Sequence, residues 1–137
     1  MNVEEVNQSC INCQNQNSVK TIKLVTEPST LIVQLKRYKY DVDKGKVIKL
    51  EDEINCQKSL IMPSGSSYTL SSIVNHIGDT ATEGHYNVNI YDRISDSFIL
   101  LDDLNISYDI ELSPETSTAC YIVLYTKDEK YNSTYFL

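Results

Sequence analysis

LIVQLKRYKY, Leu31 to Tyr40, is the stretch whose reading decides the fold. Leu31, Val33 and Leu35 fall on one side of an extended chain and Ile32, Gln34 and Lys36 on the other. This two-residue period belongs to a strand with one buried face. Just upstream, Pro28 stops a weaker alternation over Thr21 to Thr26, with Ile22, Leu24 and Thr26 on one face. Downstream, Asp41 to Gly45 has the composition of a turn, and Lys46 to Leu50 reads as a short return strand. Pro63-Ser-Gly-Ser-Ser breaks the chain. Tyr68 to His76 then alternates again, with Tyr68, Leu70, Ser72, Val74 and His76 on one face. A loop containing Gly78 and Gly84 leads to two strands, His85 to Tyr91 and Phe98 to Leu101, around Asp92 to Ser97. Ile106 to Ile110 reads as a short strand. Ala119 to Thr126 closes the pattern, with Tyr121, Val123 and Tyr125 on one face. The first 19 residues, rich in Asn, Gln and Ser, read as loop or frayed hairpin. No segment sustains a helical period, and at most a turn or two of helix is expected near Ser113 to Ser117. The expectation is an antiparallel sheet of about seven strands.

Composition agrees. Val, Ile and Thr together number 34 of 137 residues, against two alanines and no tryptophan. Side chains branched at Cβ lose rotamer freedom in a helix and fit a pleated sheet. Ten of the twelve aromatics are Tyr, which suits half-buried strands with a wet end. The length fits one domain, residues 1–137, large enough to form a core without disulfides. A net charge of −7 argues against nucleic acid as a partner, because phosphate-binding faces carry a basic excess. No apolar run approaches the ~18 residues of a membrane span. The opening MNVEEVNQSC is polar and acidic, unlike a signal peptide. The chain is therefore expected inside the cell, in the cytoplasm or nucleus, with its four cysteines free or metal-bound.

There are two histidines, His76 and His85. If the hairpin turn is centred between Arg93 and Ile94, His85 lies opposite Asp102. A three-residue turn centred on Ile94 puts Asp103 there instead. Directly opposed side chains lie roughly 4.5–5.5 Å apart at Cβ, close enough for a carboxylate to orient an imidazole and stabilise its charged form. The plainer alternative is an Asp-Asp turn that merely caps a strand.

From Tyr68 to Asp103 the residues resemble the histidine box of the ubiquitin-specific proteases, a family of papain-like cysteine deubiquitinases. The matching features are Tyr68-x-Leu70, His76-x-Gly78, Gly84-His85-Tyr86, then Phe98 and Asp102-Asp103. ACYIVLYTK is similar to the family's closing strand, and LIVQLKRYKY resembles its L-I-x-L-K-R-F strand. The likeness covers roughly Cys10 to Lys127. It implies the C-terminal, mostly β half (palm and part of the fingers) of an α+β catalytic domain that cleaves after the terminal glycine of ubiquitin. By resemblance His85 is the general base, Asp102 orients it, and Asp103 is an auxiliary polar residue. Gly84 and Tyr86 flank the channel for the Gly-Gly tail, where glycine leaves room for an extended peptide. His76 maps near that channel, with a packed, satisfied histidine the equal alternative.

The family's nucleophile lies in a box resembling G-N-T-C-Y-M-N-S, well upstream of the histidine, and this sequence starts too late to contain it. Asn7 to Asn12, with Cys10, lacks that box's glycines. Cys10-Ile-Asn-Cys13 matches better the second Cys-x-x-Cys knuckle of the family's zinc-bearing fingers. A structural zinc normally takes four ligands. Cys10 and Cys13 supply half a set, so zinc is expected only if another chain completes it, and no cofactor is required. Cys56 lies in a polar stretch, and Cys120 is expected to be buried. Two functions remain open. The chain is part of a thiol-dependent deubiquitinase, inactive alone, with ubiquitin or a ubiquitinated protein and the missing N-terminal half as partners. Alternatively, it is a non-catalytic ubiquitin-binding or scaffold module.

Overall fold

The computed structural model describes residues 3–7, 11–14, 17–21, 24–112 and 118–129. Among them are eleven strands: β1 (Val3–Asn7), β2 (Asn17–Thr21), β3 (Thr30–Gln34), β4 (Tyr38–Asp41), β5 (Lys46–Lys49), β6 (Ser59–Ile61), β7 (Ser67–Ile77), β8 (His85–Asp92), β9 (Ser97–Asp102), β10 (Asn105–Ile110) and β11 (Cys120–Lys127). Seven of them form the main sheet, in the order β10-β9-β8-β7-β11-β3, with β6 paired to the start of β7. All pairings are antiparallel. The mostly β, seven-stranded antiparallel arrangement is as the sequence predicts. β1 with β2, and β4 with β5, make two separate ribbons. The helix expected near Ser113 to Ser117 lies outside the described residues. The strand expected over Thr21 to Thr26 is not formed over Leu24–Thr26, which is irregular; β2 ends at Thr21.

LIVQLKRYKY is two strands, not one. Leu31 and Val33 face inward as predicted, and β3 pairs with β11 from Gln34 opposite Ile122 to Thr30 opposite Thr126. The chain then leaves the sheet at Arg37, whose side chain is buried (4% exposed). Its guanidinium donates from Nε to the Cys120 carbonyl at 2.8 Å and from Nη1 to the carbonyls of Leu50 and Asp52. A buried cation must be hydrogen-bonded. Turning the backbone at residues 35–37 lets Arg37 reach those oxygens, and β4 pairs with β5 instead.

β7 also departs from simple alternation. Tyr125 pairs with Leu70 but Leu124 with Ser72, so Ser71 is an extra residue, a β-bulge that shifts the side-chain phase. Tyr68 and Leu70 are buried before it and Ile73 after it. Ser72, Val74 and His76, predicted to share the face of Tyr68, therefore fall on the opposite one. A second irregularity at Tyr121 brings Cys120 into the core with Val123 and Tyr125, while Tyr121 is only half-buried.

One face of the sheet carries the core: Tyr68, Leu70, Ile73, Phe98, Cys120, Val123 and Tyr125. Leu60, Met62 and Cys56 from the β5–β7 connection, and Ile110 and Leu112, pack against it. Burying each large apolar side chain stabilises by roughly 1.5–3 kcal/mol. The tyrosines keep their hydroxyls satisfied, Tyr68 on the Pro28 carbonyl at 2.6 Å and Tyr125 on that of Gln57 at 3.0 Å.

Candidate active site

Toward the end of the sheet where β7 leads into β8, the core face turns polar. Asn75 on β7 and Asn89 on β8 are almost fully buried, and Asn75 Nδ2 donates to Asn87 Oδ1 at 2.8 Å. The Asn75 Oδ1 atom has no hydrogen-bond partner among the described residues. These side chains floor an open groove of about 560 Å³, also lined by Lys49, Ile77 and Leu100. Asparagine is disfavoured inside strands. Asn87-x-Asn89 on the inward face of HYNVNIY was thus a readable signal that this end of the face is not core, and periodicity alone passed over it.

His85, the first residue of β8, and Asp102, the last of β9, share this face. His85 Nε2 and Asp102 Oδ1 are hydrogen-bonded, with the side chains 43% and 38% exposed. The contact predicted from the hairpin is present, but the register is not the predicted one. Asp92 pairs with Ser97 and Val88 with Leu101, so the turn is centred between Ile94 and Ser95. The Asp92 carboxylate sets it, accepting from the Ile94 N–H at 2.9 Å and the Ser95 hydroxyl at 2.8 Å. Continuing that register, Asp102 falls across from Asn87, two residues along from His85. The imidazole reaches it diagonally, a span within range of long side chains. Asp103 follows in the β9–β10 turn with φ +53°, a left-handed position that Asp tolerates. One ligand atom from each of His85, Asp102 and Asp103 lies within 4.8 Å of the others. The hydrogen bond and charge of Asp102, with the charge of Asp103 adding to them, raise the His85 pKa above its ordinary value. Since an ionised carboxylate only accepts, Nε2 carries the hydrogen and Nδ1 is left to meet another group.

His76 sits differently. It is 3% exposed, on the opposite face from His85, with Nδ1 2.6 Å from the Tyr38 hydroxyl. The Tyr86 ring, half exposed, lies 4.7 Å from the His76 ring. Burial, with the Lys49 ammonium nearby, lowers the His76 pKa. Lys49 Nζ donates to the carbonyls of His76 and Gly78 at 2.9 and 2.8 Å, fixing the loop that leads to His85. The geometry is that of the packed alternative for His76. It also gives Gly84 a reason that the sequence did not show: a Cβ there would lie 2.2 Å from His76 Nε2 and 2.7 Å from the Ile77 carbonyl oxygen. Gly78, at φ +148°, faces Gly84 across the same narrow place. Of the Cys10–Cys13 knuckle, Cys13 is exposed in a turn and Cys10 lies outside the described residues.

An antiparallel sheet that presents a carboxylate-oriented imidazole is a scaffold of the kind on which nucleophilic hydrolases set their general base. The family model described as ubiquitin carboxyl-terminal hydrolase matches residues 3–125, and the chain belongs to that family, in its ubiquitin-specific protease branch. It is 35% identical, over 71% of its length, to ubiquitin carboxyl-terminal hydrolase 48 of Rattus norvegicus, of which it spans 10%. Among solved structures, a chain of the yeast SAGA DUBm carrying a mutant Sgf73 superposes with a TM-score of 0.75 at 26% identity, covering 93% of this chain and 31% of that one. A chain of the SAGA Ubp8/Sgf11/Sus1/Sgf73 DUB module bound to ubiquitin aldehyde shares the fold, with a TM-score of 0.74 at 24% identity over 93% of this chain and 31% of that one. This chain thus spans about a tenth of that curated relative and under a third of the solved chains.

Proposed function

We propose that the chain is the histidine-bearing, C-terminal part of a thiol-dependent deubiquitinase acting inside the cell, in the cytoplasm or nucleus, on the bond after the terminal glycine of ubiquitin. The observation that carries this is the His85–Asp102 hydrogen bond at the open, polar end of the core face. Asp102 engages Nε2, so His85 Nδ1 takes the proton of a cysteine thiol and later returns it to the leaving amine. Asp103 adds negative charge that favours the imidazolium. Gly84 and Tyr86 border the path of the Gly-Gly tail.

The nucleophile comes from a thiol-bearing half packed over the groove. None of the four cysteines serves. Cys120 is buried and faces Cys56, and Cys10 and Cys13 belong to the fingers by resemblance. The oxyanion donors belong to the thiol-bearing half too, and loss of one such donor typically costs about 10²–10³ in rate. Zinc is held weakly or not at all by Cys10 and Cys13 unless a second chain supplies two more ligands.

The test is hydrolysis of a fluorogenic amide at the C-terminus of ubiquitin. The 137-residue chain alone should be inert, and joining it to the thiol-bearing half of a family member should restore turnover. Turnover by the isolated chain that Cys10→Ala abolishes would refute this reading. A joined protein that binds ubiquitin without cleaving it would favour the binding-module function.

A further inference from the structure

Cys56 and Cys120 stand apart from the His85 site and from the zinc-type knuckle. Cys56 is in the connection between β5 and β6, Cys120 begins β11, and their sulfurs are 3.5 Å apart although 64 residues separate them in sequence. Cys120 is fully buried, whereas Cys56 is partly exposed and lines a second open groove of about 760 Å³ with Lys58, Phe98 and Ile110. The Arg37 guanidinium is fixed beside them by its bond to the Cys120 carbonyl. A thiol near a cation, reachable from solvent and touching a second thiol is the arrangement of a reactive and a resolving cysteine.

We propose that Cys56 and Cys120 form a hydroperoxide-reactive pair, with Cys56 the attacking thiol and Cys120 the resolving one. The Cys56 thiolate attacks one oxygen of hydrogen peroxide. The O–O bond breaks, the departing hydroxide takes a proton to become water, and Cys56 is left as a sulfenic acid. The Cys120 sulfur then attacks the Cys56 sulfur. The S–O bond breaks, the Cys120 proton leaves with the hydroxyl as a second water, and a disulfide joins residues 56 and 120. The two thiols lose two electrons in total and one peroxide gains them. The order follows from the surroundings: only Cys56 opens to the groove, and the hydrogen bond from Cys120 together with the Arg37 charge lowers its pKa. The pKa of Cys120 is raised, chiefly by that same hydrogen bond and by burial. Conversion of Cys56 to the uncharged sulfenic acid removes the negative charge that helps hold the proton on Cys120. Closing the disulfide brings the sulfurs from 3.5 Å to about 2.05 Å. It ties the β5–β6 connection to strand β11.

The test treats the whole chain with hydrogen peroxide, blocks remaining thiols with N-ethylmaleimide and maps the digest by mass spectrometry without reduction. The expected product is a Cys56–Cys120 linked peptide, with Cys10 and Cys13 alkylated. The same treatment in guanidinium should lose that selectivity. In Cys120→Ala, dimedone should trap a sulfenic acid at Cys56; in Cys56→Ala it should label nothing at Cys120. Both thiols alkylated after peroxide, pairing of Cys56 with Cys10 or Cys13, or dimedone at Cys120 would each overturn the proposal. The first measurement uses the unmodified chain, so it stands even if a variant fails to fold.

Discussion

The His85 side chain is partly exposed, and among the described residues Asp102 is the one side chain it hydrogen-bonds, so the pair can be taken apart without disturbing a core. Because Asp102 raises the His85 pKa, it makes the charged imidazole more favourable in the folded chain than in the unfolded one. The stability this contributes is present in full below the ordinary imidazole value and is lost as pH rises through the raised one. Titration of the imidazole by NMR should place His85 above the ordinary range and bring Asp102→Asn back toward it. A His85 titration unchanged in Asp102→Asn would show that the hydrogen bond is not kept in solution. Gly84 is the other decisive single position. Gly84→Ala drives a methyl into the His76 ring and, less yieldingly, into the Ile77 carbonyl. Overpacking of this kind costs about 1–3 kcal/mol, read as a lower urea midpoint. An unchanged midpoint would mean that the glycine is kept for its surface role alone.

Strand by strand, the sequence was legible where a segment has one buried face and an unbroken ladder, as in the pairing of β3 with β11 at Leu31, Val33, Val123 and Tyr125. It misled where an extra residue changes the phase. Nothing in Tyr68 to His76 marks Ser71 as a bulge, because Ser is compatible with either face, and one such residue moves Ile73 inward and Val74 outward. The His85–Asp102 contact was foreseen through the wrong register. Both candidate turns were too early, since Asp92 caps the actual one, and the contact survives because a diagonal pair is also within reach. The break between β3 and β4 was invisible to periodicity for a different reason. It is set by Arg37 meeting oxygens far along the chain, on Cys120, Leu50 and Asp52. Arg37→Met should therefore lower stability by about 1.5–3 kcal/mol, the usual worth of hydrogen bonds to a charged group. Lysine should recover only part of it, since an ammonium lacks the planar fork. Urea unfolding that does not distinguish arginine from methionine at residue 37 would remove the anchor from this account.

At the level of the whole molecule, one face of one sheet runs from an apolar core to an open polar groove over Asn75, Asn87 and Asn89, and His85 lies on the same face two residues before Asn87. At the core end, Leu60, Met62 and Leu112 pack over the buried residues. The groove end holds Asn75, whose buried oxygen has no hydrogen-bond partner among the described residues. On the proposed function, this is the face that meets the thiol-bearing half. The central claim is that His85, oriented by Asp102, activates a thiol delivered to that groove. It is tested most directly by the rate at which a thiol-directed ubiquitin probe labels the joined protein, comparing the native chain with His85→Ala and Asp102→Asn. Loss of general-base assistance typically costs about 10²–10⁴ in rate. The account predicts a fall of that order for His85→Ala and a smaller one for Asp102→Asn. Labelling of His85→Ala at the native rate would contradict it.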